Sequence, residues 1–458
     1  MAETKPAALE LGTERIRKLL VQYSVPAIIA MTASSLYNMV DSIFIGQGVG
    51  PLAISGLALT FPLMNLSAAF GAMVGVGAST LISMRLGQRD YETAKRVLGN
   101  VISLNTLIGI LFAVVMLLLL DPVLYFFGAS EATLPYAREY MEIILLGNVI
   151  THMYLGLNAV LRAAGHPRKS MYATIITVIL NAILDPIFIF VFDWGIRGAA
   201  IATILAQIVS LCWQLKMLSN RNELLHLRRG IYRLKSRIVR DILSIGLSPF
   251  LMNVAACLIA IIINKGFKTY GGDLMIGAYG ITNRVAFLFV MIIMGLNQGM
   301  PPIAGYNYGA RQYNRVLRVL RLTIYGATAL SILAFVLGEF TPRLLVGLFT
   351  TDEELRALAV TGMRLTFLMF PIIGFQMVAT NLFQSLGMAS KAIFLSLSRQ
   401  LLFLLPCLLF LPRLFEAHTS LEGSLGVWLS MPASDLLAAI VTAILLIRQL
   451  RILRAKIA

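Results

Sequence analysis

Twelve long apolar runs, joined by short basic connections, constrain this chain more than any other feature. They fall at about 19–45, 54–84, 97–120, 136–161, 171–192 and 197–218, then at about 241–264, 275–300, 318–340, 357–383, 393–412 and 425–447. A run of about 20 apolar residues crosses a bilayer as a helix. Only helices and closed barrels satisfy their backbone polar groups inside lipid. The expected fold is an all-α integral membrane protein with twelve transmembrane helices. Several runs exceed the minimum length, so tilt or extension beyond the bilayer is expected. With 58% hydrophobic and 13% charged residues, a soluble domain is excluded.

The net charge of +16 is a matter of orientation. Of 38 Lys and Arg residues, 29 lie in alternate connections on one side, at 1–18, 85–96, 162–169, 216–240, 311–321, 391–399 and 448–456. By the positive-inside rule that side is cytoplasmic, both termini are inside, and no nucleic-acid partner is expected. Residues 1–18 read as a cytoplasmic tail, since they have no apolar core and no cleavage site. Cys212, Cys257 and Cys407 fall in separate runs, with no metal spacing and no disulfide pairing expected. There is no Walker A sequence, no zinc-protease helix motif and no nucleophile elbow. The chain is therefore expected to be no enzyme and to need no cofactor. Work by such a chain draws on an ion gradient unless its transport is downhill.

The second half repeats the first. Gly87, Arg89, Tyr91, Arg96, Val97 and Leu98 correspond to Gly309, Arg311, Tyr313, Arg318, Val319 and Leu320 at one offset of 222 residues, which Gly165/Gly387 and Lys169/Lys391 share. Pro26/Pro249 lies one residue off that register. Six spans per repeat is an even number, so the repeats are parallel and related by a pseudo-two-fold axis along the membrane normal. The expected plan is a tail at 1–18, a first lobe at 19–218, a cytoplasmic linker at 219–237, a second lobe at 238–447 and a tail at 448–458. Two such lobes suit alternating access around a site between them.

Carboxylates at lipid depth cost roughly 2.5–3.5 kcal/mol on insertion scales, so each one is a functional-site hypothesis. Counting from the cytoplasmic ends, Asp41 lies ~33 Å along the first span and Asp185 ~25 Å along the fifth; Thr203 lies ~12 Å in from the outer end of the sixth. All three reach the outer half. Asn181 and Asp185 share a helix face, as do Ala199 and Thr203, and Tyr37 and Asn38 flank the face of Asp41. Pro186 removes a backbone donor, which frees the carbonyl of Ala182 and should kink the helix. The expected product is an oxygen-rich nest for a proton shared between the acids or for a sodium ion at Asp41, Asn181, Asp185 and Thr203. Two neighbouring carboxylates in a low dielectric titrate as a unit. The alternative is a pair of interfacial acids satisfied by Asn38 and Asn181. Around the repeat equivalents of the acids the second half reads Ile262-Ile263-Asn264 and Leu404-Leu405-Pro406-Cys407, without a carboxylate. The repeat fold itself therefore does not demand them.

Other polar residues inside the spans are Asp435, for cavity lining or helix capping, and Arg284 and His152, both expected to be satisfied by packing partners. Asn158 and Gln376 are candidate cavity groups. Among 21 methionines, Met31, Met64 and Met291 are candidates for an adaptable apolar cavity.

At these residues the chain resembles the multidrug and toxin extrusion (MATE) family, on its prokaryotic DinF-like branch. The resemblance covers about 15–450. It is carried by Tyr37-Asn-Met-Val-Asp41, Phe44-Ile-Gly46, Leu86-Gly-Gln-Arg-Asp90, Asn181-Ala-Ile-Leu-Asp185-Pro186, Tyr279-Gly-Ile, Gly295-Leu-Asn-Gln-Gly299, Pro302-Ile-Ala-Gly-Tyr-Asn-Tyr-Gly309 and Gly426-Val-Trp428. It implies two six-helix lobes and cation-coupled efflux of amphipathic, often cationic drugs from the bacterial inner membrane, by a monomer in contact with membrane lipid. It also implies a cation site at Asp41, Asn181, Asp185, Ala199 and Thr203, with proton and sodium both open. Members with coupling acids in the second lobe do not match. A flippase for lipid-linked sugars, or an exporter of one metabolite, would share the two-lobe plan. The flippase would need a more cationic cavity than these spans offer.

Overall fold

Each apolar run becomes helix, and no strand occurs among the described residues. The computed structural model describes residues 7–418 and 423–457. The first half contains α1 (Ala7–Thr13), α2 (Ile16–Gly48), α3 (Pro51–Gly87), α4 (Tyr91–Leu118), α5 (Leu120–Phe126), α6 (Leu134–Leu146), α7 (Asn148–Ala163), α8 (Pro167–Pro186) and α9 (Gly195–Leu218). The second contains α10 (Ser236–Gln298), α11 (Met300–Gly309), α12 (Tyr313–Phe340), α13 (Pro342–Gly347), α14 (Glu353–Phe367), α15 (Phe370–Ser385), α16 (Ala389–Leu397), α17 (Leu405–His418) and α18 (Gly423–Ala455). Ten stretches are long and apolar enough to cross a membrane. Two bent pairs, α6 with α7 at 58° and α14 with α15 at 48°, raise the number to as many as twelve. The all-helical membrane architecture read from the sequence is what the chain adopts.

The duplication is written into the backbone. Gly50 and Gly272 (φ 119° and 71°), Arg89 and Arg311 (61° and 59°), and Gly165 and Gly387 (96° and 70°) take left-handed or related conformations at repeat-related turns. For an arginine this conformation costs roughly 1–2 kcal/mol. Its recurrence in both halves marks it as part of the repeat rather than a local accident. Gly272 divides α10 into two crossings, Ser236–Gly272 and Leu274–Gly309. The bends in the fourth and tenth spans also match, at Gly147 and next to Met369. One turn differs in its cap. Asp90 accepts from the backbone N–H of Thr93 (3.1 Å) at the start of α4, whereas Gln312 makes no side-chain cap on α12. Burial pushes the Asp90 carboxyl up, but the bonds from Thr93 and the guanidinium groups of Arg85 and Arg96 outweigh it and hold it below the usual range.

Two compact units result. The first holds residues 7–15, Ile29–Phe250 and Gly305–Arg311; the second holds Ile16–Ile28, Leu251–Ala304 and the chain from Gln312. The inner part of the seventh span thus belongs with the first unit. Its close crossing with α3 explains this: a Cβ on Gly77 would strike the carbonyl of Ile242, and one on Gly246 the carbonyl of Met73. The linker is stapled to the same unit. Asn100 accepts from the N–H of Lys235 (3.0 Å) and donates to the carbonyl of Arg233 (3.2 Å), while Ser103 donates to that of Tyr232 (2.6 Å). Part of the stretch read as a free tail is also ordered. Leu11 in α1 is fully buried, and its carbonyl accepts from Asn307 Nδ2 at 2.9 Å.

The outer parts of the two units have different cores. In the first, Ile45, Leu63, Phe112, Tyr140, Met141, Leu145 and Ile189 pack together from α2, α3, α4, α6 and the turn that follows α8. In the second, Ile263, Phe267, Phe367, Phe370 and Trp428 form an aromatic cluster, with ring centroids of Phe267 and Trp428 4.5 Å apart.

Candidate cation-coupling site

Three helices of the first unit deliver the site. Asp41 lies in the last third of α2, Asn181 and Asp185 lie on one face near the end of α8, and Ala199 and Thr203 lie on one face of α9. Asp41 and Asp185 are only 6% and 0% exposed, and their carboxyl groups lie next to each other. Close approach of the two requires a proton or a cation, because ionised carboxylates can only accept. Neighbouring acids of this kind titrate as a unit.

Neighbouring polar groups fix both acids in place. The amide of Asn181, oriented to satisfy both neighbours, donates to Asp185 Oδ2 at 2.8 Å and accepts from the N–H of Thr203 at 3.1 Å. The hydroxyl of Thr203 donates to the carbonyl of Ala199 (3.1 Å), so Tyr37 is the donor in the 3.1 Å contact between its hydroxyl and that of Thr203. One acceptor remains open: Asp41 Oδ1 is buried and has no hydrogen-bond partner. With the oxygens of Asn181, Thr203 and Ala199 close by, the donor set is all oxygen, which suits a hard cation as well as a proton. Among the described residues, no group of three or more His, Cys, Asp and Glu side chains is arranged to hold a metal ion. A sodium ion here would thus rely on amide, hydroxyl and carbonyl oxygens beside the two acids. At Pro186 α8 gives way to a wider π-helical turn, Ile187–Val191, the local loosening that a missing backbone donor produces. The side chain of Asn38 lies outside the described residues.

Two tyrosines join the site that the sequence reading did not name. Tyr140, from α6, is buried near Thr203, Asp41, Tyr37 and Asp185. Tyr154, from α7, is buried near Thr177, Thr174 and Asn158. The signal for this extension was present. Ser170, Thr174, Thr177, Asn181 and Asp185 recur at intervals of three or four along α8, a polar stripe on an otherwise apolar helix. Asn158 sits in this stripe's network. It donates to Thr174 Oγ1 (3.0 Å) and accepts from Arg162 Nη1 (3.2 Å) and from Ser170.

The remaining candidates are scattered. His152 is fully buried between Ser67 (3.2 Å from Nε2) and the ring of Phe112, with its Nδ1 unpartnered. Arg284 is exposed and makes no hydrogen bond or ion pair among the described residues. Met31, Met64 and Met291 are half-buried. Gln376 and Asp435 meet in the second unit. The Gln376 amide donates to the Asp435 carbonyl, and the Asp435 carboxylate pairs with Arg399 Nε at 2.6 Å.

The chain matches the MatE family over residues 26–187 and again over 249–409, one match for each half. The Multidrug export protein MepA of Staphylococcus aureus (strain MSSA476) is 27% identical over 434 residues, which cover 95% of this chain and 94% of that protein. MepA of Staphylococcus haemolyticus (strain JCSC1435) is 28% identical over 400 residues, covering 87% and 88%. A solved structure described as the outward-facing conformation of a multidrug resistance MATE family transporter of the MOP superfamily has a TM-score of 0.90 at 25% identity, covering 98% of this chain and 99% of that one.

Proposed function

Because the chain belongs to the MatE family, we propose that it is a cation-coupled antiporter that exports amphipathic drugs across the bacterial inner membrane, with both termini in the cytoplasm. The observation that carries the coupling is the pair of buried, adjacent carboxyl groups of Asp41 and Asp185. Two acids in apolar surroundings cannot both be charged without a compensating positive charge. The pair therefore exchanges one positive charge, a proton or a sodium ion, whenever its access changes. Moving that charge inward down a membrane potential supplies about 2.3 kcal/mol per 100 mV, and each unit of pH difference adds about 1.4 kcal/mol. Thr203, Asn181, Tyr37 and Tyr140 hold the acids in register. The hydroxyl, amide and carbonyl oxygens provide the remaining ligands if the ion is sodium.

Drug export as the cargo is supported by the relatives, whose names state multidrug export. The finer assignment to a DinF-like branch rests on the acids of the first half alone, since the relatives named above are MepA proteins. A monomer is sufficient for this mechanism, because one chain carries both repeats. The test is efflux of ethidium from proteoliposomes with pH and sodium gradients imposed separately. The proposal expects one of the two gradients to drive efflux and Asp41→Asn or Asp185→Asn to reduce it to background. Gradient-driven efflux at the wild-type rate in both variants would remove the acids from the mechanism.

A further inference from the structure

We propose that Arg399, anchored by Asp435 in the second unit, is a recognition site for the carboxylate of a zwitterionic or anionic amphipathic compound. This rests on the efflux reading above and names a substrate class that the aspartate pair does not serve.

Arg399 lies ten residues into its span from Ala389, about 15 Å, and Asp435 lies twelve residues into the last span from Gly423, about 18 Å, counted from opposite sides. Both therefore sit near the middle of a hydrocarbon layer about 30 Å thick. The Asp435 side chain is 4% exposed, while that of Arg399 is 38% exposed. A guanidinium at this depth must face protein or water, because lipid offers it no partner. The lipid-type face of span eleven is marked by Phe394, Leu401, Leu402 and Leu409, all exposed. Arg399 instead follows the buried Leu395 and Ser396 by four and three residues, on the inward face. Its open side is thus turned away from the lipid-type face.

The donor inventory gives the ligand class. Nε of Arg399 is committed to Asp435 Oδ1 at 2.6 Å. Its Nη1 and Nη2 make no hydrogen bond or ion pair among the described residues. Asp435 is held in turn by Gln376 on its carbonyl. The result is a planar pair of charged N–H donors, fixed at the base by a buried carboxylate and presented to an open space. That fork matches a carboxylate in two-point contact. Leu395 and Met431, four residues before Arg399 and Asp435 on the same faces, favour an anion carried on an apolar body over a strongly hydrated inorganic one. A purely cationic drug gains nothing at this position, since the exposed member of the pair is the positive one.

The test uses a matched pair of dyes: rhodamine B, with a free carboxylate, and its ethyl ester. Binding to the full chain in detergent is read by fluorescence anisotropy without any gradient. Wild type binds both. Arg399→Gln combined with Asp435→Asn removes the fork without leaving an uncompensated buried charge. It should weaken rhodamine B binding at least about tenfold and ester binding less than about twofold. Arg399→Lys should lie between wild type and the neutral pair for rhodamine B. Equal losses for the two dyes, no loss for rhodamine B, or no binding of rhodamine B to wild type with the ester still bound would overturn the site alone. Failure of wild type to bind either dye would count against this site and against the efflux reading together.

Discussion

The two halves of this chain share a backbone plan and solve the problem of buried charge in opposite ways. In the first unit two carboxyl groups face each other and need a proton or a metal cation between them. In the second, a carboxylate faces a guanidinium and is neutral without any mobile ion. The positions that carry Asp41 and Asp185 become Ile263 and Cys407, and Ile263 is packed with Phe267 and Trp428 in an aromatic core. Conversely, Arg399 and Gln376 stand where the first half has Thr177 and Tyr154. One pair can store and release a charge; the other can only present one. Duplication thus supplied two similar frames, and under the two proposals above substitution at a few interior positions divides coupling from recognition.

The comparison is broken most directly by removing charge from each pair. Asp41→Asn or Asp185→Asn should bring gradient-driven efflux of ethidium to background, a loss of at least about 100-fold or 2.7 kcal/mol, with the melting temperature close to wild type. Asp435→Asn should shift the apparent KM for carboxylate-bearing dyes while the rate keeps its dependence on the imposed gradient. If Asp435→Asn abolished that dependence, the division of labour between the halves would be wrong.

Grafting an acid onto the second half should not create a second coupling site. Ile263→Asp buries an unpaired carboxyl in the aromatic cluster and should cost about 3–5 kcal/mol, seen as a lower melting temperature in detergent. Unchanged stability would mean that this core is hydrated. Within the first unit, Thr203→Val removes the hydroxyl that bonds Tyr37 and Ala199. About 1–3 kcal/mol of organisation is lost, so efflux driven by the gradient should fall roughly tenfold with retained expression.

The smallest contrast lies at the repeat-related turns before α4 and α12. Asp90→Ala should cost about 1 kcal/mol as a lost N-cap, and Gln312→Ala, at the uncapped counterpart, a few tenths at most. The contribution of Asp90 is present above its unfolded value near 3.9 and is lost as pH falls through its lower folded value. Thermal melting of Asp90→Ala and wild type should therefore converge on acidification.

Much of this was legible in the sequence. The spans followed from the apolar runs, and the duplication followed from one offset that the backbone angles at Arg89/Arg311 and Gly165/Gly387 repeat. Asp41, Asp185 and Thr203 could be set at one level by helical rise, with Asn181 and Ala199 on the same helix faces; the five as one cation site followed from the family resemblance. Tyr140 and Tyr154 escaped because a tyrosine in a membrane helix reads equally as packing or as interface belt, and only the fold shows where its hydroxyl points. Arg399 was counted among the basic residues of a cytoplasmic connection. Loop counting treats a residue ten positions into a helix as part of its end, whereas depth by helical rise puts it near the bilayer centre. Asp435 could not be resolved between capping and cavity, since its partner lies on another span 36 residues away.

The account depends on one positive charge, a proton where sodium is absent, held between Asp41 and Asp185 and exchanged for cargo. Binding of ethidium to the detergent-solubilised protein in weakly buffered solution, followed with a pH indicator, measures it without a membrane. The expected result is release of about one proton per protein molecule, as for a pair that titrates as a unit, and none from Asp41→Asn or Asp185→Asn. Undiminished release from either variant, or ethidium binding to wild type without release in sodium-free solution, would contradict it.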